Sequence, residues 1–468
     1  MSSPQLKPLS IPARPISGQD RSLIPIGMTT ILPEAARRIR VLQQTLLTQL
    51  SRWGYQEIIL PTFEYLDVLT PALEPELIEK CYQFADRTTG RILLLRPDAT
   101  AQIARTVAMG MMGTQFPMRL CYRTSVFRYE SEHAGRDREI SQVGAELIGV
   151  DDLTRDSEII SLMIDCLLQA GLTSFKVSVG HVGFFKQLLA QSGMSDGGQK
   201  RAEQAAARKD LPRLEEVLAQ ERVTRATAKA ILEAPGLYGR EEVLQQGRRL
   251  AGRNQMLLGT LDRLSRVYEQ LVAAGRRDML LLDLGEFRGF DYYDGIVFDV
   301  FAEGVGTELG GGGRYDHLIG RFGSELPSTG FALDLDRLFR AVDGRCMPAP
   351  SSRADYLVVT SPQAWKRSAE VASILRSGGS RVIEGRVKLS GRDVISVAIR
   401  EARAERAAAV VVLGVSGTET DEAIVVENIL NDLDFMDRVQ GTSKRVRTKM
   451  KITALAGLHS NDRMVFAQ

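Results

Sequence analysis

Residues 120–148 read LCYRTSVFRYESEHAGRDREISQVGAELI, and this stretch decides the fold. Two runs, Leu120–Glu130 and Arg138–Ile148, flank the polar connector Ser131-Glu132-His133-Ala134-Gly135. Strand-like runs on either side of a polar, glycine-containing segment predict a β-hairpin with a long loop. Upstream, Ile39, Leu42, Leu46, Leu47 and Leu50 recur at three- and four-residue steps, which predicts a helix from Pro33 to about Gly54. Strands are expected at Tyr55–Leu60, closed by Pro61, and at Ile92–Leu95, ended by Arg96-Pro97; a helix follows from Ala101 to Met112. Downstream, the pattern gives a helix over 154–170 stopped by Gly171 and a strand at Phe175–Val179. A stretch from about 183 to 275, rich in Ala, Glu, Arg, Leu and Gln, reads as several helices in an inserted lobe. Strands return at Met279–Asp283 and Tyr293–Phe301, and the four glycines 310–313 read as a tight turn before a helix at 334–342.

At 468 residues the chain is long enough for two or three domains. Residues 1–20 read as a flexible segment and 21–345 as the core. Met347-Pro348-Ala349-Pro350-Ser351-Ser352 breaks the pattern as a linker. Beyond it, strands and helices alternate over 354–430, which predicts a small α/β domain with a mostly parallel sheet. The last stretch, 431–468, carries Lys444, Arg445, Arg447, Lys449 and Lys451 and reads as a solvated basic tail.

A net charge of +2 argues against a globally basic nucleic-acid coat. Four scattered cysteines (Cys81, Cys121, Cys166, Cys346) form no Cys-x-x-Cys pair, so a zinc ribbon or disulfide framework is not expected, and the usage suits a reducing cytosol. Without a long apolar run or an apolar signal-peptide core, the expectation is a cytoplasmic protein with no membrane partner.

The hairpin also carries a resemblance. Phe127-Arg128-Tyr129-Glu130, Gly135-Arg136-Asp137-Arg138-Glu139, Gln142 and Glu146 resemble motif 2 of class II aminoacyl-tRNA synthetases in its histidyl form. Leu95-Arg96-Pro97-Asp98-Ala99-Thr100 looks like an amino-acid-contacting segment of that family, and Arg288-Gly289-Phe290-Asp291-Tyr292-Tyr293-Asp294-Gly295 like its histidine signature. Gly312-Gly313-Arg314-Tyr315-Asp316, Gly330-Phe331-Ala332 and Asp336-Arg337-Leu338 resemble its third motif. The resemblance spans about residues 22–430. It implies an α+β fold: an antiparallel sheet core flanked by helices, dimerising through motif 1, with a divergent anticodon-binding-like α/β domain behind it.

Two groups share these motifs: histidyl-tRNA synthetases, and the regulatory subunits of ATP phosphoribosyltransferase, which do not aminoacylate. The resemblance implies a histidine site of Asp98, Thr100, Arg128, Gln142, Glu146, Arg288, Tyr292, Tyr293 and Tyr315. Asp98, Thr100 and Gln142 would face the ammonium with Glu146 nearby, Arg288 the carboxylate, and the tyrosines the ring. That set suits a zwitterion: guanidinium for carboxylate, carboxylates for ammonium. Tyr292 and Tyr293 adjoin in a strand pattern, which would turn one of them into the core. Arg128, Arg136 and Arg337 match the arginines that hold a triphosphate.

Departures separate the two groups. Asp334 stands where the third motif has a glycine beside the nucleotide. A carboxylate about 5 Å from a phosphate is repelled by about 3 kcal/mol per unit charge at an effective dielectric of 20. Glu132 adds an acid in the hairpin loop, Asp98 shortens a glutamate, and Gly180-His181-Val182-Gly183 looks like the regulatory group. The reading is a regulatory subunit with a vestigial nucleotide site at Arg136, Asp334 and Arg337 and no catalytic residue, metal or cofactor. The group's partner is the short-form catalytic subunit in a hetero-octamer, with histidine as ligand; nucleic acid is not an expected partner. The alternatives are an active histidyl-tRNA synthetase and an RNA-binding adaptor.

Overall fold

The computed structural model describes residues 24–429, apart from 112, 114, 130–136, 286–291, 343–353, 361–364, 387–393, 415–421 and 428, together with 447–451 and 455. The chain divides into two compact units between Pro348 and Ala349.

In the first unit the hairpin pairs Met118–Phe127 with Glu139–Ile148, in register from Met118 opposite Ile148 to Phe127 opposite Glu139. It lies within a nine-stranded sheet of order Gln56–Glu57, Met118–Phe127, Glu139–Ile148, Ser328–Asp334, Gly310–Arg314, Ile296–Ala302, Phe175–His181, Leu280–Asp283 and Tyr238–Gly239. The six strands from Met118–Phe127 to Phe175–His181 are antiparallel. Gln56–Glu57 and Leu280–Asp283 join in parallel, so the sheet is mixed rather than wholly antiparallel. The chain between Phe175–His181 and Leu280–Asp283 runs through helices, the connection that parallel neighbours require.

Gly310–Arg314, expected as a turn, is a central strand. A side chain at Gly312 would meet the Gly330 carbonyl oxygen at 1.9 Å, so the two backbones approach only because glycine stands there.

Helix Pro33–Arg52 begins with proline and Glu34 in its first turn and buries Leu42, Leu46 and Leu50. These residues share one core with Ile160 and Met163 of helix Leu153–Gln169 and with Leu214, Val217, Ile231, Leu261 and Leu264 of the 183–275 region. That region holds six α-helices that pack on the same core within the first unit. A second core holds Leu94, Ile103, Tyr122, Tyr292, Tyr293 and Tyr315. It includes residues of a small three-stranded sheet ordered Phe63–Tyr65, Ile92–Leu95, Gln83–Ala85.

The second unit has parallel strands Val382–Arg386, Ala354–Thr360 and Ala407–Leu413, extended antiparallel by Glu422–Val426 and Arg447–Lys451. Helices Trp365–Ser377 and Val394–Ala404 supply its alternation. Arg447–Lys451 is thus a sheet strand: the end of the basic run is not tail. Residues 1–20, the linker at 347–352 and Lys444 and Arg445 lie outside the described residues, except that the unit boundary falls within the linker.

Candidate functional site

Directly opposed residues on neighbouring strands share a sheet face, so the register lays out the site in rows. Leu120, Glu146, Gly330 and Gly313 form one row; Tyr122, Gly144, Ala332, Gly311 and Asp299 the next; Thr124, Gln142 and Asp334 a third. Glycines hollow the face. A Cβ at Gly330 would lie 1.6 Å from Glu146 Oε2, one at Gly144 2.4 Å from the Tyr122 hydroxyl, and one at Gly313 2.7 Å from the Tyr293 ring. The result is a cleft of about 410 Å³, within the ~300–1,000 Å³ typical of small-molecule sites.

Eight of the nine expected histidine-site residues line this cleft: Asp98, Thr100, Arg128, Gln142, Glu146, Tyr292, Tyr293 and Tyr315. Asp334 and Arg337 line it too. Arg288 and Arg136 lie outside the described residues, as do Glu130 and Glu132.

Glu146 is the chemical centre of one end. It is 1% exposed, on a central strand. Thr100 Oγ1 donates to its Oε1 at 2.7 Å and the Tyr315 hydroxyl donates to its Oε2. Burial pushes its carboxyl up to about 8, against the two hydroxyl donors that pull it down; the charge of Asp98 adds to the rise. Asp98 caps helix Ala99–Ala108, accepting from the Ala101 amide at 2.9 Å. Burial raises its carboxyl, opposed chiefly by Arg128, whose Nη2 is 3.9 Å away. Arg96 fixes the preceding turn by donating to the carbonyls of Leu60, Pro61 and Ser125.

Three tyrosines wall this end. Tyr292 and Tyr293 have ring centroids 4.7 Å apart, and Tyr315 sits edge-on to both at 5.9 and 6.5 Å. Tyr292 and Tyr293 precede strand Ile296–Ala302 rather than belonging to it, so they escape the alternation of a strand and both reach the cleft. Behind Tyr315, Arg314 is 1% exposed and pairs with the fully buried Asp156 at 2.8 Å and with Asp316 at 3.0 Å. His181 proves structural: its Nδ1 accepts from the Gly183 amide at 3.1 Å, and burial drives its pKa down to about 3.

At the other end, Asp334 caps helix Leu335–Ala341 through the Asp336 and Arg337 amides. Its Oδ2 lies 2.9 Å from Arg337 Nε. Arg337 Nη1 also donates at 2.8 Å to both the Glu308 carboxylate and the Glu308 carbonyl. Burial raises the Asp334 carboxyl, with Arg337 opposing.

Sequence reasoning missed Tyr122, Asp299 and Glu308 on the lining. Tyr122 is accessible by parity, since it lies six residues from Arg128 and opposes Gly144, which falls midway between Gln142 and Glu146. Asp299 and Glu308 sit outside every quoted motif, and only the sheet order brings them in. Among the described residues no group of three or more His, Cys, Asp or Glu is placed to hold a metal ion.

The histidyl-tRNA synthetase family model matches residues 27–338. The ATP phosphoribosyltransferase regulatory subunit of Moorella thermoacetica is 40% identical over 366 residues, covering 77% of this chain and 91% of that protein. Its counterpart from Geobacter sulfurreducens is 35% identical over 356 residues, covering 76% of this chain and 81% of that protein. A crystal structure from Bacillus halodurans, titled as an ATP phosphoribosyltransferase regulatory subunit/histidyl-tRNA synthetase, superposes with a TM-score of 0.70 at 27% identity, over 83% of this chain and 97% of that one. A cleft built from histidyl-synthetase motifs, in a chain this similar to regulatory subunits along most of their length, places it: the chain belongs to the ATP phosphoribosyltransferase regulatory subunit family, on the histidyl-tRNA synthetase-like fold.

Proposed function

We propose that this chain binds free histidine in the cleft and couples its occupancy to a separate short-form ATP phosphoribosyltransferase, without aminoacylating tRNA. One observation carries the reading. Among the described residues the lining holds five carboxyl groups (Asp98, Glu146, Asp299, Glu308, Asp334) and two guanidiniums (Arg128, Arg337), so acids outnumber bases there, even with the Glu146 carboxyl pushed up to about 8 and mostly neutral at pH 7. Such a cleft suits an amino acid with an ammonium and a partly charged ring, and opposes a triphosphate. Asp98 and Glu146 meet the cationic groups, the three tyrosines wall the ring, and Arg288 takes the carboxylate.

Regulation then follows from linkage. Histidine shifts the complex only by binding one conformation better than another, with ~1–3 kcal/mol of coupling being typical. The partner reading rests on the relatives' names, which are those of a subunit. We place the chain in a cytoplasmic hetero-octamer. Its own dimer contact would run through motif 1. Among the described residues no helix is long and apolar enough to cross a membrane.

The test is to capture a short-form catalytic subunit with the purified chain and assay phosphoribosyl transfer with and without histidine. Capture, stimulated activity and inhibition by histidine are expected. Histidine-dependent exchange of pyrophosphate into ATP by the chain alone would reject the reading in favour of an active synthetase.

A further inference from the structure

We infer that Glu308 is a specificity-determining residue of the cleft: with Asp334 it clamps Arg337, so that the end beside the amino-acid site rejects nucleoside phosphates. The inference rests on the histidine reading above and says how the same cleft excludes the other class of ligand. Arg337 is the described guanidinium at that end. An arginine recognises phosphate by presenting parallel N–H donors to its oxygens. Here Nε faces Asp334 Oδ2 at 2.9 Å, and Nη1 is shared by the carboxylate and carbonyl of Glu308, both at 2.8 Å. Two carboxylates therefore flank one guanidinium, and its Nε and Nη1 donors are already directed at oxygens of this chain. The clamp is also local. Glu308 lies just before strand Gly310–Arg314 and Asp334 ends strand Ser328–Asp334, and these are sheet neighbours, with Gly310 opposite Leu333. The Asp334 amide donates to the Leu309 carbonyl at 2.8 Å, tying the two carboxylate-bearing segments together. A phosphate arriving here meets acceptors facing acceptors, and a captive arginine.

The two carboxylates can be neutralised by substitutions of nearly the same shape. Glu308→Gln keeps the side-chain shape, and Asp334→Asn keeps an oxygen suited to the helix cap. The probes are inorganic pyrophosphate and Mg·ATP, titrated calorimetrically into the wild-type chain, both single variants, the double variant, and the double variant carrying Arg337→Ala. Thermal melting serves as the folding control. Each neutralisation should raise affinity about tenfold, equivalent to ~1.4 kcal/mol, and the double variant more; Arg337→Ala should cancel the gain. Tight Mg·ATP binding by the wild-type chain would overturn the inference. So would unchanged phosphate affinity in a folded double variant, or a gain that survives Arg337→Ala. Histidine titrated into the wild-type chain separates the two claims. Absence of histidine binding defeats the proposed function, whereas the phosphate series alone decides the clamp.

Discussion

At one end of the cleft Glu146 is sealed among hydroxyls and rings, with its carboxyl titrating near 8; at the other, Asp334 and Glu308 spend their charge on Arg337. Both ends use carboxylates from the same sheet face. The first holds its acid on neutral hydroxyl donors. The second has supplied its own partner and is electrostatically closed. Motif residues can therefore persist while their capacity to bind differs, and the difference lies in what each charge already touches.

The largest expected effect concerns the brace behind the Glu146 end. Arg314→Met would leave Asp156 buried without its guanidinium, and removal of one partner of a buried ion pair costs about 3–5 kcal/mol. Denaturant unfolding should show that loss, and the added substitution Asp156→Leu should restore much of it. An unchanged midpoint for the single variant would remove the brace from the account.

Glu146→Gln should weaken histidine binding by about 1.5–3 kcal/mol, the range for hydrogen bonds to charged groups. It should also flatten the pH dependence. With a midpoint near 8, Glu146 is mostly neutral at pH 7, while a bound cation favours the carboxylate. Binding should therefore release a proton, and affinity should rise from pH 6.5 towards 8 in the wild-type chain. Calorimetry in buffers of different ionisation enthalpy measures this directly. The same raised value makes the unliganded fold lose stability as pH climbs from the ordinary carboxylate range through 8, because the unfolded chain ionises first. That slope should be shallower in the variant.

Arg288→Ala should weaken histidine by about 1.5–3 kcal/mol through loss of a charged hydrogen-bond partner; equal affinity by calorimetry would contradict the assigned pose. The smallest effect is reserved for Tyr315→Phe. It deletes one donor to Glu146, should cost about 0.5–1.5 kcal/mol in affinity, and should move the midpoint of the pH profile upward, since that hydroxyl holds the carboxyl down.

Much of this contrast was legible before any coordinates. The hairpin, Asp98 and Thr100 at the start of a helix, and the Gly-Gly-Arg-Tyr block each announce themselves locally, and together they line the Glu146 end of the cleft. The run 310–313 misleads because glycine runs signal turns; only strand order shows that neighbouring backbones and the Tyr293 ring need the space that Gly310, Gly312 and Gly313 leave. The strand expected from Tyr293 begins at Ile296, so the alternation read into Tyr292 and Tyr293 does not apply and both line the cleft. Glu308 had no motif to advertise it, because its importance comes from Arg337, which is 29 residues away in sequence. Asp334 was read as an obstacle to phosphate, but its cap and its ion pair are visible only in three dimensions.

The most direct measurement is histidine inhibition of phosphoribosyl transfer by the short-form catalytic subunit assembled with this chain, in wild-type and Glu146→Gln forms. The account predicts that both assemblies are active and that the variant's inhibition curve moves to histidine concentrations roughly 10- to 150-fold higher, the ratio equivalent to ~1.5–3 kcal/mol. Superimposable curves would show that histidine acts somewhere other than this cleft.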